Sequence, residues 1–289
     1  MSIKNDISKW WADNPMTYGK DHGVTVYEDQ NGEQDIDFQS KVFFEKADSE
    51  LFNWNRPLHD DTGRFGKIFP FERYKGKNVL EVGCGMGGMS MLWAKQQAKI
   101  TACDLNPVAI EQTRRRFELF GLNGTIQQED GNMLSFENNS FDYAYSWGVL
   151  HHSPDLEKSI AELFRVLKPG GEFGLMLYNR KSLAHWWMTL YLEGFLHGES
   201  RFLSELELSS RYGDGDKKEG NPHTWPVTRS EMHTLFSQYS PDVQTRVLGT
   251  EMDSCFFLLP GLYRFIPKSL IKPWARRFGW SIWISGRKA

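Results

Sequence analysis

Only three cysteines, Cys84, Cys103 and Cys255, occur in 289 residues, and their spacing matches no metal-ligand pattern. So few, and an odd number, argue against a disulfide framework and suit a reducing compartment. No apolar run approaches the ~20 residues needed to cross a bilayer. The start, Met1-Ser2-Ile3-Lys4-Asn5-Asp6, lacks the apolar stretch of a secretion signal. The expectation is a cytoplasmic protein. An excess of positive charge is missing too: 34 Lys and Arg face 37 Asp and Glu, a net charge of −3. A dedicated nucleic-acid binder usually shows a clearly basic domain. No internal repeat or low-complexity tract is present. What remains, 40% apolar and 25% charged residues, is ordinary for a globular chain long enough to bury a full core.

The most informative segment is Val79-Leu80-Glu81-Val82-Gly83-Cys84-Gly85-Met86-Gly87-Gly88. An aliphatic run broken by four glycines in six positions is a strand end where backbone N–H groups come close to a ligand, with a helix N-terminus behind. Gly83, Gly85 and Gly88 alone also satisfy the dinucleotide fingerprint, so this segment does not choose between nucleoside cofactors. A second short strand, Ile100 to Asp104, ends in an acid 21 residues after Gly83. A carboxylate there can accept both hydroxyls of a ribose. A helix follows, with Asn106 as N-cap, Pro107 at the first turn and Gly121 at the C-terminal end. Arg114, Arg115 and Arg116 on it read as a solvated face within reach of Glu111 and Glu118.

Three more motifs follow in order: Glu129-Asp130-Gly131-Asn132; Ser140 to His152, containing Ser146-Trp147-Gly148; and Arg165-Val166-Leu167-Lys168-Pro169-Gly170-Gly171, leading into a strand from Glu172 to Tyr178. With all five in this order, the chain resembles class I S-adenosylmethionine-dependent methyltransferases. The likeness is detailed over residues 76–180. It is nearest the broad small-molecule group that includes ubiquinone-pathway and natural-product enzymes. The resemblance implies a Rossmann-like α/β fold, doubly wound, with seven mostly parallel strands and an antiparallel last strand. The chain divides into an N-terminal extension (1–75), the cofactor-binding core (76–180), a cap insertion (181–240) and C-terminal strands with a basic amphipathic insertion (241–289).

The resemblance also implies site roles and S-adenosylmethionine as cofactor. Gly83, Gly85 and Gly87 pass the methionyl part over the first strand end, with Glu81 just before them reaching the loop or the amine. Asp104 takes the ribose hydroxyls and Leu105 covers the adenine. Asp130 accepts from the adenine amino group, while Gly131 or Asn132 donates an N–H to the ring. Ser146 and Trp147 stand beside the sulfonium.

For catalysis, His151 is the base candidate, since an imidazole can titrate near neutrality; His152 reads as a backbone-bonding partner at the next helix. Tyr178, Asn179, His185 and His223 are candidate acceptor contacts, each also at home as a plain loop residue. Relatives that hold a metal here use a Glu-x-x-Glu-His pattern; with Gly148 and His151 in those places, no Mg²⁺ is expected.

Nine of the eleven tryptophans lie outside residues 76–180. They read mainly as packing of the cap onto the sheet, with one or two at a hydrophobic or aromatic substrate pocket. From Ser254 to Ala289 there are seven Lys or Arg and no acid. That segment reads first as a cap helix with a basic face and second as a weak membrane-surface contact. The function expected is methyl transfer to a small-molecule acceptor, with no nucleic-acid partner. The competing readings are a tRNA methyltransferase, an NAD-dependent oxidoreductase and a non-catalytic activating subunit. Oligomeric state is not legible.

Overall fold

The computed structural model describes residues 3–13, 26–29, 32–35, 37, 39–213, 220–249 and 265–289. The N-terminal part holds helix α1 (Ile3–Asp13), an antiparallel hairpin of β1 (Val26–Asp29) and β2 (Gly32–Asp35), and helix α2 (Lys41–Trp54). Strands and helices then alternate: β3 (Asn78–Val82), α3 (Gly88–Lys95), β4 (Lys99–Asp104), α4 (Pro107–Leu119), β5 (Thr125–Gln128), β6 (Phe141–Trp147), α5 (Leu156–Val166) and β7 (Leu167–Tyr178). A π-wound helix, His185–Leu196, follows, then α6 (Glu205–Tyr212), α7 (Arg229–Phe236), β8 (Gln244–Leu248), α8 (Lys268–Phe278) and β9 (Ser281–Arg287).

Seven strands make one sheet in the order β5-β4-β3-β6-β7-β9-β8. β3 to β7 pair in parallel, and β9 runs antiparallel to both β7 and β8. This is the doubly wound α/β sheet with a reversed last strand. The chain winds outward from β3 to β5, then returns to β6 on the other side of β3. That reversal opens a crevice at the strand C-termini, where such sheets bind ligands.

Local chemistry accounts for the elements. β3 is buried on both faces, as a central parallel strand must be. α4 starts where Asn106 accepts the Val108 N–H at 2.9 Å, with Pro107 in the first turn. α5 is capped by Asp155 and buries Ile160, Leu163 and Phe164. One sheet face packs Leu80, Ala144, Phe173, Leu175 and Ile284 under α5 and α7. The other is an aromatic core of Phe65, Phe69, Phe71, Tyr143, Tyr145 and Trp283 around Trp93, which is fully buried.

Three features depart from the sequence reading. Arg115 does pair with Glu118, but Arg116 does not face solvent: it is 1% exposed and holds Asp48 of α2 at 2.7 and 2.8 Å. Its guanidinium also lies over the Phe44 ring at 4.5 Å. Packing by tryptophan is uneven: Trp283 is buried, whereas Trp54, Trp186 and Trp274 are exposed. β7 begins at Leu167, earlier than expected, with a register shift against β6. Cys255 and the apolar residues Phe256, Phe257 and Leu262 lie outside the described residues; Cys84 and Cys103 are buried thiols, their pKa values pushed well up by burial.

Candidate active site

A cavity of about 270 Å³ lies over the C-terminal ends of β3 to β7. Its floor is the glycine loop. The N–H groups of Gly83 and Cys84 both donate to the Cys103 carbonyl, at 2.7 and 3.0 Å, and Gly85 N–H donates to Asp104 Oδ2 at 2.9 Å. Gly83, Gly85 and Gly87 all take positive φ, where a side chain is strained. A Cβ on Gly83 would strike Val149 at 2.4 Å, while one on Gly85 would meet nothing and stand in the cavity.

Carboxylates ring this floor. Glu81 is 1% exposed and accepts a hydrogen bond from the Ser90 hydroxyl at the start of α3. Burial pushes its pKa up to about 8. Asp104 sits at the tip of β4, half-buried with its edge on the cavity. Besides Gly85, it accepts the Asn106 N–H at 2.9 Å, and burial raises its pKa. Asp130, after β5, accepts the Asn132 N–H at 3.0 Å with Oδ1. Its Oδ2 pairs with the ammonium of Lys4, which α1 lays over the mouth. Trp11 of the same helix lines the cavity, its carbonyl accepting from Asn106 Nδ2 at 2.9 Å.

The structure brings most of the expected cofactor residues to this cavity: Glu81, Gly83, Gly85, Asp104, Leu105, Asp130, Gly131, Asn132 and Trp147. Two do not line it. Gly87 is the left-handed N-cap of α3, pressed against Thr113. Ser146 is fully buried on the sheet face opposite Tyr145 and Trp147. Asn132 uses its N–H on Asp130, and its side chain ties this turn to α5 through Asp155 and Ser153, leaving Gly131 as the backbone donor.

The acceptor side is corrected more deeply. His151 does not line the cavity. It is fully buried, its ring 3.8 Å from that of Tyr178, and neither ring nitrogen has a hydrogen-bond partner among the described residues. Burial lowers its pKa well below the ordinary value. The imidazole on the cavity wall is that of His152. Its Nδ1 lies 3.1 Å from the His223 carbonyl, from Thr224 Oγ1 and from Asn221 Nδ2. The carbonyl needs a proton on Nδ1 whereas the Asn221 amide offers one to it, so these contacts fix the ring's position without selecting a tautomer.

Of the acceptor candidates, only Tyr178 lines the cavity. Asn179 donates to the Gly279 carbonyl at 2.8 Å, buried between strands. His185 is buried against Glu205 at 3.4 Å. His223 contributes its backbone to His152. Lining residues the sequence did not reveal are Ile7, Trp11, Leu51, Met86, Val149 and Met176. Those of α1 and α2 carry no motif. Among the described residues no three His, Cys, Asp or Glu side chains gather as a metal site.

A glycine cradle open at Gly85, an acid at the β4 tip and a second acid after β5 define the site of a nucleoside-binding transferase. The comparisons agree. A methyltransferase-domain family model matches residues 79–171. The ubiquinone biosynthesis O-methyltransferase of Coxiella burnetii is 31% identical over 232 residues, covering 75% of this chain and 96% of that one. A phthiotriol/phenolphthiotriol dimycocerosates methyltransferase of Mycobacterium ulcerans is 32% identical over 206 residues, covering 69% of this chain and 71% of that one. The chain belongs to the S-adenosylmethionine-dependent methyltransferases.

The sterol 24-C-methyltransferase of Aspergillus fumigatus is 39% identical over 104 residues, 35% of this chain, and the match spans only 28% of that enzyme's length. Among solved structures, an S-adenosylmethionine-dependent methyltransferase of Methanosarcina mazei overlays with a TM-score of 0.52 at 22% identity, covering 76% of this chain and 98% of that one. The [4+2]-cyclase SpnF overlays with a TM-score of 0.56 at 15% identity, covering 100% and 97%. At such identities the likeness is one of fold alone, and a fold hosts more than one chemistry.

The residues present fit S-adenosylmethionine. Gly85 leaves open space where a side chain would obstruct, and buried Glu81 faces the same cavity. Asp130 Oδ2, the oxygen that would meet an amino group, is buried at the cavity with the Lys4 ammonium beside it and no hydrogen bond among the described residues.

Proposed function

We propose that this chain transfers a methyl group to a small, largely apolar acceptor. The observation that carries the reading is the wall beside the glycine loop: Trp147, Val149, Leu150, Met176 and Tyr178 enclose one imidazole, His152. The relatives named for ubiquinone biosynthesis, for sterol and for phthiotriol dimycocerosates support an acceptor of that kind.

S-adenosylmethionine, when bound, supplies an electrophilic methyl group. The protein's part is to hold and align. Asp104 takes the ribose hydroxyls, Leu105 covers the adenine, Asp130 and the Gly131 N–H meet its polar edge, and Glu81 meets the amine. Trp11 and Trp147 exclude water. Such positioning can supply ~7–11 kcal/mol of a barrier. His152 takes the proton of an acceptor that must lose one. The low and odd cysteine count supports a cytoplasmic setting.

The test is incubation with radiolabelled S-adenosylmethionine and, separately, a lipid-soluble phenol and sterol panel, bulk tRNA, and protein extract. Label is expected in the lipid-soluble panel. Label in tRNA alone would overturn the small-molecule reading.

A further inference from the structure

Apolar side chains stand uncovered at the edge of the sheet where the cavity opens. The helix His185–Leu196 leaves that edge seven residues after Tyr178, which ends β7 and lines the cavity. Its sequence, HWWMTLYLEGFL, is apolar nearly all round. Helices of that kind are buried on all sides or lie against lipid. This one is not buried: Trp186 is 51% exposed, Phe195 70% and Leu196 54%, and Phe202 just beyond is 86% exposed. Trp187, Tyr191 and Phe195 stack in series, ring centres 4.9 and 5.9 Å apart, with Trp186 against Tyr191 at 5.8 Å. A patch of this kind marks an interaction surface rather than stray exposure.

A second element reaches the same edge independently. α8 ends two residues before Trp280, whose ring lies 4.6 Å from that of Tyr178. α8 buries Ile271 and Ala275 and exposes Leu270 and Trp274. Its Lys272, Arg276 and Arg277 are exposed, with no carboxylate partner among the described residues. Residues 254–289 contain no acid at all. Exposed Trp and Phe beside unpaired cations is the chemistry of a bilayer interface, with rings at the headgroup boundary and cations on phosphates.

We infer that this edge docks on the surface of a lipid bilayer carrying anionic headgroups. The aromatic helix and Phe202 enter the interface, and the α8 cations select its charge. The partner is a membrane rather than a protein because the α8 cations stand beside exposed Leu270 and Trp274 with no acid anywhere in residues 254–289, while Glu193 of the aromatic helix is paired with His197. The inference stands apart from the identity of the acceptor, since docking is read without turnover.

The test is flotation of the full chain with phosphatidylcholine vesicles, with and without phosphatidylglycerol. Anionic vesicles should bind on the order of tenfold or more tightly than neutral ones, and added salt should erase the difference. The variant Lys272→Glu/Arg276→Glu/Arg277→Glu should lose the preference. Phe195→Ser/Leu196→Ser/Phe202→Ser should weaken binding to both vesicles. Retained stabilisation by S-adenosylhomocysteine shows that each variant is folded. Absence of wild-type binding at low salt, or charge reversal without effect, overturns the inference. So does sedimentation showing that the apolar variant breaks a dimer of a wild-type chain that ignores vesicles, because the face is then a protein contact.

Discussion

Four side chains carry most of what can be tested one residue at a time. Glu81 is buried and its pKa is raised from 4.5 to about 8. The folded state therefore keeps a proton that the unfolded chain gives up above pH 4.5. Its contribution to stability is fully present below that value and is lost as pH rises to about 8. Asp104, also raised, acts in the same direction. Urea unfolding of the ligand-free protein should show stability falling over this window, and Glu81→Gln should flatten the fall. An unchanged slope would mean that Glu81 is ionised in the fold. Asp104→Ala should weaken S-adenosylhomocysteine binding by roughly 1–3 kcal/mol, the loss of a charged hydrogen-bond partner. Calorimetry of a folded variant with wild-type affinity would remove the ribose role. His152→Ala should lower kcat ~10²-fold with S-adenosylhomocysteine affinity kept. His151→Ala should instead cost stability, roughly 2–4 kcal/mol, since it empties a packed core position. Equal turnover by His152→Ala and wild type would leave catalysis to positioning alone.

At the scale of elements, one buried link between the N-terminal part and the sheet is the Asp48–Arg116 pair of α2 and α4, with side chains 7% and 1% exposed. Breaking a buried pair strands a charge. Asp48→Ala should therefore cost about 3–5 kcal/mol, while Asp48→Leu/Arg116→Met should recover most of it. Chemical unfolding of the three variants decides. A double variant no better than the single would show that the pair holds more than its own charges. The capped start of α4 was readable from Asn106 and Pro107 because a cap is a bond between near neighbours. Arg116 was not readable: three arginines in a row look alike until a helix 68 residues away covers one of them.

The whole molecule should respond to its cofactor product as a unit. S-adenosylhomocysteine at about a hundred times its Kd should add ~2.7 kcal/mol and raise Tm by several degrees. NAD should not, and a shift with NAD instead would point to the dinucleotide reading of the glycine loop. Turnover should survive EDTA, since no metal-ligand cluster forms among the described residues; loss restored by Mg²⁺ would expose a ligand set elsewhere in the chain. No helix among the described residues is long and apolar enough to cross a membrane.

What the sequence alone determined is local in origin. Glycine spacing, acids at strand ends, cap residues and the period of apolar positions act over a few residues, so the five motifs sufficed for the family resemblance, for the mostly parallel sheet it implies and for naming most of the expected residues that line the cavity. What only the tertiary structure decided depends on partners far along the chain. Trp147 reaches the cavity while Ser146 turns to the other sheet face, a choice set by what packs on each side. His152 rather than His151 reaches the wall, because Tyr178 stacks on one ring while the loop at Asn221, His223 and Thr224 holds the other. α1 places Lys4 and Trp11 over the mouth, and the aromatic helix stays uncovered. Burial is a property of the assembled surface. A residue's type records how well it tolerates being buried, and the rest of the chain decides whether it is.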